Sequence, residues 1–223
     1  METELTDLQR IDKWKKWLKK IKADAQNLVM YRSMFKEVNE IINENTLLHD
    51  YNHYFRYMND SHIALIIMGL RRQIKNDPQS ISITRLLYEI ADNAQLITRH
   101  YYVSLYSNSS IQFLADEHFD QFCDDQGDPY ISKSLVEADI DIFKEATLLV
   151  EKYADRIIAH TDKRKFKTFP TFEDVDNCLK ILDKIYCKYH LMFYATSMDS
   201  LLPTFQYNWK KIFEIPWINN EGK

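Results

Sequence analysis

The sequence predicts an all-α protein, a helical bundle of about six or seven helices. Three observations carry this expectation. Only three glycines occur in 223 residues, too few for turn-rich β folds or for glycine loops that cradle phosphates. Apolar residues recur at steps of three and four along most of the chain, the period of a helix with one buried face. Prolines and capping residues fall between these stretches, where helices have to stop and start.

The first helix spans about residues 4–44. Leu8, Ile11, Trp14, Leu18, Ile21, Ala25, Leu28 and Val29 mark its inner face, and Lys13, Lys15, Lys16, Lys19, Lys20 and Lys22 fill the rest of that surface. A second helix runs from about 47 to 75. Its segment "IALIIMGL" (63–70) is apolar all round, which predicts a central buried helix. "NDPQS" (76–80) ends it, because Pro78 cannot continue a helix and Asp77 and Ser80 supply turn chemistry. After a short alternating stretch near 80–84, Ser82 caps a helix that turns Leu86, Leu87 and Ile90 inward.

Residues 107–132 hold Gly127, Pro129 and a cluster of acids, and read as a surface excursion with one short helix. Residues 133–160 form the clearest helix, with Leu135, Ala138, Ile142, Ala146, Leu149, Tyr153 and Ile157 predicted on the packed stripe. "KRKFKTFP" (163–170) is a basic connector. Thr171 then caps a helix reaching about Met198, with Glu173 and Asp174 in the first turn, where the helix dipole favours acids. Its inner face carries Val175, Leu179, Leu182, Ile185, Tyr186, Tyr189 and Phe193. Pro203 and a short tail helix ending in "FEIPWI" complete the chain. Residues 1–45 are expected to be an amphipathic arm packed on the core, and 46–223 a single folded unit.

A net charge of −4 excludes the bulk positive charge of a protein that coats nucleic acid, while leaving room for local basic patches. Three unpatterned cysteines, Cys123, Cys178 and Cys187, read as reduced thiols in a cytoplasmic protein. No apolar leader segment opens the chain, and no apolar run approaches the roughly 20 residues needed to span a bilayer.

The chemistry centres on "YADRIIAHTDKR" (153–164). Arg156 and His160 are four positions apart, so their side chains can meet on a helix. Eighteen residues make five helical turns, so His160 is expected to point the same way as Ile142, on the packed stripe. One reading is a histidine that fills space and complements a helix C-terminus. The other is an acid–base histidine beside an arginine that holds a phosphate. Four basic residues follow within "TDKRKFKTF" (161–169), where the backbone of an approaching RNA would lie.

Arg71 and Arg72 end the apolar helix, where they complement its dipole, or where one turns to a phosphate or pairs with Asp155 or Asp162. His49 and His53 have the i, i+4 spacing of a metal pair, but no third ligand is predictable and no metal site or cofactor is expected. "KWKKWLKKIK" (13–22) reads as an outer helix whose tryptophans cover the bundle, or as a surface for phosphates, an anionic membrane or a partner helix.

"LRRQIKNDPQSISITRLLYEI" (70–90), "YADRIIAHTDKR", "PTFEDVD" (170–176) and "NWKKIFEIPW" (208–217) resemble the HEPN superfamily in its abortive-infection-related, AbiU2-like branch, over about Tyr54 to Trp217. The resemblance implies a helical bundle, frequently dimeric, of a kind in which many members are RNases of toxin–antitoxin or phage-defence systems. It implies for His160 the role of catalytic histidine facing its symmetry mate across a dimer cleft. Arg156 is the nearest arginine, with three residues between the two where the superfamily motif, Arg-x(4–6)-His, has four to six. Arg71, Arg72, Asp155, Asp162, Lys163 and Arg164 are the expected substrate-binding residues. The function expected is a metal-independent RNase acting as a homodimer, alone or with an antitoxin or other defence partner. The alternative is a non-catalytic HEPN-type module that binds RNA, nucleotide or a protein.

Overall fold

The computed structural model describes residues 5–49, 53–160, 163 and 166–217. The chain is all-α, with helices α1 (Asp7–Glu44), α2 (His53–Ile74), α3 (Ile83–Ala91), α4 (Arg99–Ser104), α5 (Ala115–Asp120), α6 (Lys133–Tyr153) and α7 (Phe172–Tyr194). Among the described residues there is no strand, and one isolated bridge joins Thr98 to Tyr130. None of their helices is long and apolar enough to cross a membrane.

Local chemistry starts α1. The Thr6 hydroxyl accepts the Gln9 amide N–H, and the Gln9 side chain accepts the Thr6 N–H, satisfying two amides that the first turn would otherwise leave open. From Ile11 to Leu28 the inner face is buried as expected, and the stripe extends to Arg32 and Phe35. Leu8 is 71% exposed, because burial on this helix begins only one turn later, at Ile11.

Helix α2 packs against α1, α6 and α7. It buries Ile66, Ile67, Leu70 and Ile74, but its apolar run is not enclosed all round: Leu65 is 46% exposed. At the crossing with α1, Gly69 lets the two backbones approach, because any Cβ there would run into the Leu28 side chain. Ser82 caps α3 as predicted, accepting the Arg85 N–H at 3.0 Å while donating to the Lys75 carbonyl at 2.6 Å. The buried Gln73 accepts the Ile83 N–H at 3.1 Å, which fixes the angle between α2 and α3. The excursion that follows is tied down by Arg99, which donates to Asp120, to Asp116 and to the Asp128 carbonyl.

Helix α6 is the centre of the bundle, in contact with α2, α3 and α7. The buried line is Val136, Ile140, Phe143, Thr147, Val150 and Ala154. The predicted line is its neighbour and lies partly open, with Ile142 52% exposed. Two adjacent apolar stripes run along this helix. Periodicity fixes their spacing, but only the three packing partners decide which of them is covered.

Helix α7 agrees with the sequence in every predicted inward residue. Thr171 and Asp174 exchange cap hydrogen bonds, and Ala195, in the left-handed region at φ 49°, ends the helix. Several polar contacts bind α1 to the bundle, among them two centred on Glu89 and Asp176. Lys13 and the Trp14 indole both donate to Glu89 on α3, at 2.7 and 3.1 Å. Arg32 grips Asp176 on α7 with Nε at 2.8 Å and Nη2 at 3.2 Å.

Candidate active site at the end of helix α6

The expectation of one continuous helix over 133–160 fails at Ala154. Residues Ala154–Ile158 wind as a π-helix, closed by the Ala159 N–H donating to the Ala154 carbonyl at 2.8 Å. Each such i→i+5 turn takes one residue more than an α-turn, which sets the following side chains back by about 100°. The five-turn argument that aligned His160 with Ile142 therefore does not apply. His160 lies exposed beyond the π-turn, not on a packed stripe. No hydrogen bond or ion pair joins it to another described residue.

The π-turn is held against α2 by charge. Arg71 Nε donates to Asp155 Oδ1 at 2.5 Å, and Lys75 Nζ donates to Asp155 Oδ2 and Glu151 Oε1, both at 2.8 Å. Burial opposes ionisation of Asp155, but Lys75 and Arg71 prevail and hold its carboxyl below the usual carboxylate range. Lys75, with the two acids on it, is in turn held above the ordinary lysine range despite its own partial burial.

Of the two arginines that end α2, Arg71 thus reaches Asp155. Arg72, about 100° further round the helix, lies 4.0 Å from Asp24 of α1. Lys163 is exposed. Asp162 and Arg164 lie outside the described residues.

An aromatic triad covers the other side of the turn. The Tyr153, Phe166 and Phe169 rings meet pairwise with centroids 5.5–5.8 Å apart, and the Arg156 guanidinium carbon lies 5.3 Å from the centre of the Phe166 ring. This contact fastens the far end of the basic connector to α6 and gives Arg156 a flat apolar support. Sequence reading placed Tyr153 on the packed stripe but gave no role to Phe166 or Phe169. The nearest signal was the pair of phenylalanines spaced through the lysines of "KRKFKTFP".

Among the described residues no three His, Cys, Asp or Glu side chains converge as metal ligands. His49 Nε2 instead sits 3.0 Å from the Asn43 carbonyl oxygen.

The model of the AbiU2 family, a HEPN family, matches residues 11–212. The chain belongs to the AbiU2 family of HEPN proteins. The match runs from Ile11 in α1 through α7 to Ile212 in the tail. It takes in the basic segment of α1, which the resemblance starting near Tyr54 had left out. No curated protein and no solved structure matches the chain.

Proposed function

We propose that this AbiU2-family protein is a ribonuclease effector of a phage-defence or toxin–antitoxin system, acting as a homodimer on single-stranded RNA. The observation that carries the reading is the π-turn. It sets His160 out in solvent four residues after Arg156, on a backbone clamped by Asp155 and beside a connector rich in lysine and arginine. An acid–base group has to be reachable by substrate, and a buried space-filling histidine would not be.

In this mechanism a ribose 2′-hydroxyl attacks the adjacent phosphorus. The bond from phosphorus to the 5′-oxygen breaks, leaving a 2′,3′-cyclic phosphate and a 5′-hydroxyl. His160 transfers the proton, its symmetry mate lying across the dimer, and Arg156 offsets the charge that builds on the phosphoryl oxygens. Arg71 and Lys75 act from behind, by fixing Asp155 and so the turn that carries Arg156.

The spacing of three residues between Arg156 and His160, where the HEPN motif has four to six, favours a second reading: a module that binds RNA without cutting it. Cleavage of mixed single-stranded RNA in EDTA separates the two. His160→Ala is expected to lose on the order of 10²–10⁴-fold in rate, and Arg156→Lys to be poorly tolerated, because lysine cannot make a bidentate phosphate contact. Cleavage unchanged by His160→Ala rejects this site. RNA binding without cleavage selects the second reading.

A further inference from the structure

The segment "KWKKWLKKIK" (13–22) gathers six lysines and no acid in a chain whose net charge is −4. Its apolar side is spent inside the protein. Trp14 and Leu18 are fully buried, Ile21 is nearly so, and the Trp14 indole N–H donates to Glu89. A helix that lies on a membrane, or that seats in a partner's groove, needs that apolar side free. What this part of α1 turns outward is cationic.

A shallow groove of about 920 Å³ follows this outward side. Lys13, Lys16, Lys19, Lys20 and Trp17 line it, and Ile81, from the link between α2 and α3, completes it. Lys13 is engaged by Glu89. Lys16, Lys19 and Lys20 are exposed, and among the described residues no acid pairs with them. Asp12 is the one carboxylate on the groove among those residues. Lys16 and Lys20 are about 6 Å apart along the helix axis, with Lys19 beside them. A row of this pitch can meet successive phosphates of one strand. The partly open Trp17 ring offers apolar contact to a base, which a row of protein carboxylates could not use.

The position supplies the remaining argument. Ala23 also lines the groove, and the next residue, Asp24, lies 4.0 Å from the exposed Arg72 at the end of α2. Arg71, beside Arg72, grips Asp155, the neighbour of Arg156. Cations thus continue from α1 across the end of α2 to the π-turn. We propose that the outward face of α1 is an RNA-binding surface apart from the reacting site. Lys16, Lys19 and Lys20 hold the phosphates of a single strand, which crosses Arg72 to reach Arg156. The inference rests on the ribonuclease reading for the choice of RNA and for the strand's destination. The contact with α1 does not depend on cleavage.

The test is binding of a single-stranded 2′-O-methyl RNA of about 20 nucleotides, which lacks the attacking hydroxyl, to the full chain. Fluorescence anisotropy over a series of salt concentrations gives Kd and its salt dependence. Replacing Lys16, Lys19 and Lys20 together by Gln is expected to raise Kd about tenfold or more. It should also cut the slope of log Kd against log salt by about 2, since each phosphate held on a single strand contributes about 0.7. Arginine at the same three positions is expected to keep the affinity. Gln at Lys180, Lys184 and Lys211, exposed lysines outside α1, should change Kd less than about twofold. Unaltered urea midpoints in all three sets show that folding is intact.

Wild-type affinity and slope in the α1 Gln variant overturn the proposal, as does an equal loss from the set outside α1. Equal binding of a DNA strand of the same sequence keeps the phosphate contact and overturns the choice of RNA. Tighter binding to phosphatidylglycerol vesicles or to polyglutamate than to RNA, lost in the same variant, overturns the occupant altogether. RNA held by these lysines in a protein that cleaves none keeps the surface and removes the ribonuclease reading. Cleavage that needs His160, with binding indifferent to the lysines, does the reverse.

Discussion

Arg71 and Asp155, 84 residues apart in sequence, meet at 2.5 Å and fasten the C-terminal end of α2 to the π-turn at the end of α6. With Lys75 on its second oxygen, Asp155 has both oxygens occupied inside the protein. These two contacts hold the turn on which Arg156 follows.

Asp155→Asn is accordingly expected to cost about 1 kcal/mol at neutral pH. This is the modest size suited to a carboxylate 36% exposed and screened by solvent. The sign of the pH dependence follows from the depressed carboxyl pKa. The stabilisation is present above the ordinary aspartate value of about 3.9 and fades as the pH falls through the lower folded value. Urea unfolding of wild type and variant should differ at pH 7, and the difference should begin to shrink only as the pH falls below about 4.

Gly69→Ala tests the crossing of α1 and α2. Alanine favours a helix by up to about 1 kcal/mol, but its methyl would strike the buried Leu28 side chain. Overpacking of that kind costs roughly 1–3 kcal/mol, so a net loss is expected. Leu28→Ala alone is expected to cost about 2–5 kcal/mol by opening a cavity. In the double variant the new methyl occupies part of that space. The loss should then fall short of the sum of the single variants by 1 kcal/mol or more, read from urea midpoints.

His62 provides a second pH signature, opposite in origin. Its folded pKa of about 4 is below the unfolded value near 6.5. The folded state therefore binds fewer protons in that window, and stability declines as the pH drops from about 6.5 to 4. With the ring only half-buried, the loss should be about 1–2 kcal/mol after allowance for screening. Replacing His62 by Phe removes this component, so the variant's stability should be flatter between pH 7 and 4.5.

The open stripe of α6 carries the assembly prediction. Ile142 and Leu149 line a groove between α6 and α7 that includes Ile181, and Ile142 is 52% exposed. If the proposed dimer uses this face, Ile142→Glu should convert dimer to monomer in light scattering while leaving the melting temperature nearly unchanged. A wild-type monomer at micromolar concentration counts against the dimer.

What could be read from the sequence was local. Ser82 and Thr171 announce helix starts because a cap needs only a hydroxyl and the next three residues. The inner faces of α1 and α7 follow from spacing alone. The π-turn could not be foreseen in this way, since "ADRII" holds no proline or glycine to mark a change of winding. The covered stripe of α6 depended on three other helices. Arg32 reads as an exposed charge on a helix until Asp176, 144 residues later, is placed beside it. His62, in a run of ordinary helical residues, is distinguished only by Phe35 stacked upon it.

The fastening of α1 at both ends has a consequence for how the chain is made. Glu89, which secures Lys13 and Trp14, is synthesised early. Asp176, which secures Arg32, lies on the last long helix. A nascent chain stalled on the ribosome before residue 176 has no partner for the buried Arg32 and nothing from α7 to cover that part of α1. A fragment that stops short of α7 is therefore expected to be cut by protease faster than the full sequence, because that part of α1 is left uncovered.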